Sequence, residues 1–364
     1  ARTVIDPSEP VSKGTIPLLL PLLNRFPVVK QLQILGGCLV LVMLVIAVLA
    51  YRDDRQSAYN TAYIATAGEM RMLSQRLAKA SSLALLGDTV AFKQLLESRD
   101  SFANYLERLT TGGELAATRV PPSPASVQGQ LQTLTQIWEK TDKNASRLLE
   151  MEKNLVSLGK DIATINDKNP QLLELSEQIA ALKLQGSASV REIAAANLLV
   201  MLTQRIAKNA SALLLGDAID PEIAFLLGKD TNTFRDTIQA LTKGSDTLRI
   251  AATTDADTRQ KLNALDSSFA EYRKAVGGIL GNMQKLIIAK QAGSQIFRDS
   301  EELLDATYQL AQAYHGSFMQ RTAYGMALLI LILLAISLVF LLGKTYLAES
   351  QRQTEQAEQR RQET

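Results

Sequence analysis

Two stretches of the chain carry no charge at all. Residues 31–51 lie between Lys30 and Arg52, and residues 322–343 lie between Arg321 and Lys344. At 1.5 Å rise per residue each makes roughly 30 Å of helix, the thickness of a bilayer's hydrocarbon core. The pattern therefore predicts two membrane-spanning helices. A signal peptide fits the first run poorly, because charged Arg52-Asp-Asp-Arg55 stands where a small-residue cleavage site would follow.

Between the spans the apolar positions become periodic. Met70, Leu73, Leu77, Ala80 and Ala84 recur at helical spacing and form one stripe. The stripe lies in a segment that repeats. Residues 67–88 align without gaps on residues 196–217, with 12 of 22 positions identical. The match continues through Phe102, Leu106 and Leu109 against Phe234, Ile238 and Leu241, and then Trp138 against Phe269. A period of about 130 residues is too long for a solenoid and points to a duplicated domain.

Each copy reads as four helices, near 52–86, 89–111, 125–166 and 171–187, then 188–215, 221–243, 256–289 and 293–321. Gly87-Asp88 and Gly216-Asp217 supply a helix stop and the next cap, and Pro221 suits a first turn. Gly112–Pro124 and Gly244–Asp257 read as loops. Asn169-Pro170 reads as the start of a helix that runs on into the second copy. No segment alternates as a strand does. The expected fold is all-α: two tandem helical-bundle modules between two transmembrane helices.

Composition narrows the chemistry. The lone Cys38 has no partner for an internal disulfide, and with only His315 beside it there is no Cys/His zinc set and little for His-based catalysis. A net charge of +2 lacks the basic excess of a nucleic-acid binder. No phosphate loop, carboxylate pair or nucleophile signature is present, so neither an enzyme activity nor a cofactor or metal is expected. Seven basic residues flank the spans on the terminal sides against four between them, which favours cytoplasmic termini and an external residue 52–321 segment.

The repeated core keeps polar residues in an apolar helix: Gln75, Arg76 and Lys79 recur as Gln204, Arg205 and Lys208. Two readings are open. Arg and Lys lie along a helix face and pair with nearby carboxylates. Alternatively, they form an anion or ligand site between helices, since a guanidinium fork suits a carboxylate or nitrate-like partner. Arg71 and Arg76 stand about 140° apart around the helix and share no face. The second copy has Val200 where the first has Arg71.

At Ala67-Gly-Glu-Met-Arg-Met-Leu-Ser-Gln-Arg-Leu-Ala-Lys79 the chain resembles the PilJ family, methyl-accepting-chemotaxis-like receptors of type IV pili, and the box of nitrate sensor kinases. The resemblance covers roughly residues 30–364. It implies helical periplasmic sensor modules and a homodimer in the bacterial inner membrane. It further implies signalling through a cytoplasmic HAMP unit to a coupling protein and a histidine kinase that control twitching motility, with a pilin or small periplasmic ligand as stimulus. The nitrate-sensor box implies anion-binding arginines at Arg71 and Arg76. The expected divisions are a cytoplasmic arm over 1–30, spans over 31–51 and 322–343, modules over 52–187 and 188–321, and the start of a HAMP-like helix over 344–364, with the output domain absent. Two alternatives remain at this point: the sensor half of a membrane histidine kinase, and a non-sensory structural membrane component.

Overall fold

The structure, a computed structural model, describes residues 27–216, 218–319 and 322–362. Most of the expected arm over 1–30 lies outside the described residues, as do Asp217 and Arg321. The described helices are α1 (Val28–Ala84), α2 (Thr89–Thr111), α3 (Gln128–Glu150), α4 (Glu152–Gln185) and α5 (Val190–Leu215). They continue as α6 (Pro221–Lys243), α7 (Ala256–Gly281), α8 (Met283–Met319) and α9 (Thr322–Gln362). The all-α expectation holds. The chain divides into one unit of Ala1–Ala58 with Ser317–Thr364 and another of Tyr59–Gly316.

The first unit turns its apolar side chains outward. Val40, Leu44, Leu329, Ile330, Leu333 and Phe340 are all exposed, and only Leu35, Val42 and Ala335 are buried among its described residues. A continuous apolar surface of this kind suits lipid rather than water. By length and composition three helices among the described residues qualify to cross a membrane: α1, α5 and the Gly325–Glu355 part of α9. The third candidate, α5, buries Leu199, Leu202, Ile206 and Leu213 within the other unit, so its apolar face is satisfied by protein.

In the second unit the two sequence copies exchange their fourth helices. Helix α4 packs chiefly on α7 and α5, while α6 packs on both α5 and α7, closing one four-helix bundle. The other bundle joins the C-terminal part of α1 with α2, α3 and α8. Its links are Tyr63 stacked on Tyr314 at 4.9 Å, Arg76 to Glu97 at 3.2 Å and Arg99 to Asp142 at 2.6 Å. Equivalent aromatic pairs fill the two cores: Phe102 on Trp138 at 4.2 Å, and Phe234 on Phe269 at 4.4 Å. The bundles meet where backbones touch. A Cβ on Gly159 would lie 2.7 Å from the Leu86 carbonyl, and one on Gly87, whose φ is 83°, would lie 2.5 Å from that of Leu155. Only glycine allows that approach.

Several local expectations are corrected. The expected helix 125–166 is a 3₁₀ turn (Ala125–Val127), then α3, then a one-residue break at Met151, where φ is −94° and ψ is 4°. Asn282 makes the matching break between α7 and α8, and Asn154 Nδ2 donates to its side chain at 3.3 Å. Pro170 lies inside α4 rather than at a helix start. Its missing N–H costs about 3 kcal/mol in an isolated helix, and burial of Ile162, Ile165, Leu172 and Ile179 around it offsets that loss. The helix does not run on into the second copy. It stops at Gln185, and a capping box of Ser189 and Glu192 starts α5 afresh. The cap of α2 is Asp88, as expected, whereas α6 is capped by Asp220, with Pro221 in its first turn; Asp217 lies outside the described residues.

The expected loop after α2 contains a hairpin, β1 (Gly113–Leu115) and β2 (Thr118–Val120), in antiparallel register with Glu114 opposite Arg119. Its turn residues Ala116 and Ala117 have φ of 45° and 59°. This is the geometry that Asn-Gly usually marks, so an Ala-Ala turn between three-residue strands leaves no sequence signal. Leu115 and Val120 are buried, and Tyr63 Oη donates to the Pro121 carbonyl at 2.6 Å.

Candidate functional site

The repeated motif occupies residues 72–79 of α1 and 201–208 of α5. Leu73, Ser74 and Leu77 point into one core, and Leu202, Thr203 and Ile206 into the other. Both buried hydroxyls are satisfied by their own helix: Ser74 Oγ donates to the Arg71 carbonyl at 2.7 Å and Thr203 Oγ1 to that of Leu199 at 2.9 Å. The polar half of the motif faces outward. Gln75, Arg76, Lys79, Gln204 and Lys208 are exposed, and Arg205 is half-buried.

The arginines have separate partners. The Arg71 guanidinium sits 5.5 Å from the centre of the Tyr308 ring on α8. Arg76 instead reaches α2, where Glu97 accepts from it at 3.2 Å. The two therefore diverge within one chain and enclose no common anion. Arg205 forms a fork-to-fork pair with Asp230 of α6, a carboxylate 1% exposed. That pairing raises the Arg205 guanidinium above its ordinary range.

None of these partners was visible in the repeat. Counted from the pairing of Phe102 with Phe234, Asp230 falls opposite Ser98, and Glu97 opposite Lys229. The acid has moved by one helix position between copies. Tyr308 is 237 residues from Arg71, and no local pattern joins them.

Between Arg71 and Arg76, α1 carries an exposed stripe. Thr61, Ala65, Gly68, Met72, Gln75, Lys79 and Ser82 are all exposed and alternate at spacings of four and three. A 4-3 repeat is the spacing of a helix–helix seam. The small residues at 61, 65 and 68 permit close approach by another helix.

Two further polar clusters lie one in each bundle. Tyr314 Oη and Ser123 Oγ are 2.7 Å apart, and the Ser123 hydroxyl is also 2.7 Å from the Leu109 carbonyl. Burial pushes the Tyr314 phenol up to about 12 and raises that of Tyr63 as well. At the α4–α5 connection, Glu192 accepts from Lys183 Nζ at 2.9 Å and from the Ser189 amide at 2.8 Å. The Lys183 bond, followed by the Ser189 amide, holds the Glu192 carboxyl down at about 2. Among the described residues no three His, Cys, Asp or Glu side chains are grouped to hold a metal ion.

A helical repeat with an outward polar face is common to many sensors, so comparison with known proteins decides the family. The N-terminal part of the type IV pili methyl-accepting chemotaxis transducer, PilJ, matches residues 55–161 and 183–294, together more than half of the chain. The chain belongs to the PilJ family. It is 29% identical over 333 residues to protein PilJ of Pseudomonas aeruginosa, an alignment that covers 90% of this chain and 48% of that protein. It is also 25% identical over 255 residues to AlkN of Alcanivorax borkumensis, named for methyl-accepting chemotaxis, covering 70% of this chain and 36% of that one. The chain thus spans about half the length of its PilJ relative and about a third of AlkN. Each PilJ-family match contains one copy of the Gln-Arg-x-Ala-Lys motif.

Proposed function

We propose that this PilJ-family chain is the sensory and membrane part of a chemoreceptor controlling type IV pili and twitching motility. Residues 52–321 are periplasmic on this reading, with modules over 52–187 and 188–321 as the duplicated sequence units. Spans over 31–51 and 322–343 cross the inner membrane, and residues 344–364 begin a cytoplasmic HAMP-like helix. The stimulus is a pilin or a small periplasmic ligand. Output passes through a coupling protein to a chemotaxis histidine kinase.

The observation that carries the reading is α1 itself, a helix assigned from Val28 to Ala84 that holds both an apolar span and the family motif. A helix this long is stiff enough to transmit a small shift or rotation along its axis. The exposed stripe from Thr61 to Ser82 supports a homodimer through α1, with Gln75 and Lys79 in the seam and Arg71 and Arg76 on its flanks. A ligand contacting both Arg71 and Arg76 then uses guanidiniums from two chains, since one chain separates them. Gln204, Arg205 and Lys208 are the weaker candidates, because Arg205 is already committed to Asp230.

Deleting the gene tests the proposal. Twitching on a surface and phosphorylation of the chemotaxis kinase should both fall, and the intact gene product should restore both. Normal twitching with unchanged kinase phosphorylation in the deletion strain would overturn it.

A further inference from the structure

Helix α8 begins where the two bundles meet, and a groove of about 550 Å³ opens there between α3, Ala218 and Ile219 ahead of α6, and the first half of α8. Its apolar lining includes Ile219, Ile287 and Ile288, and its charged lining is Arg147, Lys290 and Arg298. Two of the three cations are uncommitted to any acid: neither Arg147 nor Arg298 is in an ion pair among the described residues. The buried Lys290 is held in the wall, donating to the Leu214 carbonyl at 2.7 Å and to that of Gly216.

Arg298 is also positioned in advance. Asp299, 5% exposed, accepts from Gln295 Nε2 at 2.6 Å, which turns the amide so that its Oε1 accepts from Arg298 Nη2 at 2.8 Å. A relay from a buried carboxylate through an amide restricts the guanidinium and leaves its remaining N–H groups for another acceptor. Guanidiniums from two helices with isoleucines beside them form an amphipathic site. Pockets for small molecules span roughly 300–1,000 Å³, so the volume fits a ligand rather than a few waters.

We propose that this groove binds an organic anion combining a carboxylate with a short aliphatic chain. The carboxylate pairs with Arg298 and Arg147, whose planar forks match it. The aliphatic part covers the isoleucines. A simple inorganic anion would leave the apolar half of the groove in water. The ligand would touch α3 and α8 of one bundle and the α5–α6 connection of the other, so binding bears on how those elements pack.

The test uses the full chain in lipid nanodiscs and isothermal titration with hexanoate, acetate and inorganic phosphate as probes. Hexanoate should bind saturably and at least about tenfold tighter than acetate, because the added methylenes leave water. Arg147→Ala and Arg298→Ala should each weaken hexanoate by about tenfold or more, while Arg191→Ala, outside the groove, should not. Arg298→Lys keeps the charge but loses the fork. It should weaken hexanoate with an unchanged melting temperature, which guards against a misfolded alanine variant. No saturable hexanoate binding, equal affinity for phosphate, or insensitivity to both arginine substitutions would overturn the proposal. Because the readout is binding, it stands apart from any failure of the kinase reading.

Discussion

Arg76 and Arg205 hold the same place in the two copies of the repeat, yet replacing them with alanine should have unequal costs. Arg76 and Glu97 are 45% and 49% exposed, so the glutamate left behind by Arg76→Ala is rehydrated at once. Exposed pairs of this kind contribute about 0–1 kcal/mol. Arg205 is 42% exposed, but its partner Asp230 is only 1% exposed. Arg205→Ala strands a buried carboxylate, a change that costs about 3–5 kcal/mol where both partners are enclosed. Water reaches the arginine side of this pair, so the cost falls somewhat below that range, to about 2–4 kcal/mol. For a unit of this size that is a fall in melting temperature of about 5–15 °C, against about 0–4 °C for Arg76→Ala. Thermal unfolding of the full chain followed by circular dichroism measures both. Arg205→Ala with Asp230→Ala should recover much of the loss, since no unpaired charge then remains. Equal melting shifts for the two arginine variants, or no recovery in the double variant, would show that Arg205 does not neutralise a buried Asp230.

Three further outcomes follow from local geometry. Glu192 has a depressed pKa, so its contribution is complete above its ordinary value of 4.5 and is lost as pH falls from there towards about 2. Glu192→Gln should therefore destabilise the chain by about 1–2 kcal/mol at neutral pH, with the difference from wild type vanishing near pH 2; a pH-independent difference would contradict the pairing with Lys183. Gly159→Ala places a Cβ 2.7 Å from the Leu86 carbonyl and should cost about 1–3 kcal/mol in the same melting assay. Ala117→Gly relieves a left-handed φ of 59° and should stabilise by about 0.5–1 kcal/mol, whereas Ala117→Val should do the opposite.

How much of this was legible in the sequence depends on the range of the interaction. The stripe through Met70, Leu73, Leu77, Ala80 and Ala84 is a property of one helix, and all five residues are buried. The Asp88 cap and the core positions of Trp138 and Phe269 were equally readable, because each is set by near neighbours or by the repeat. What was lost depends on the partner helix. Pro170 reads as a boundary, yet burial along α4 carries the helix through it. The exchange of α4 and α8 leaves no mark on either sequence copy, since both helices present an apolar face that would suit either bundle. Arg71 was visible as a departure at Val200, while its aromatic neighbour Tyr308 belongs to the exchanged helix and could not be inferred.

On the proposed function, movement of α1 against a partner chain carries the signal from the motif to the span. Met72 lies mid-stripe and is 56% exposed, so Met72→Cys should form a disulfide between two chains in membranes. The direct measurement is kinase activity of the intact receptor, coupling protein and kinase in vesicles, with this crosslink closed and then reduced. Activity should stop responding to stimulus when the seam is locked and respond again after reduction. A full response from quantitatively crosslinked receptor would contradict it.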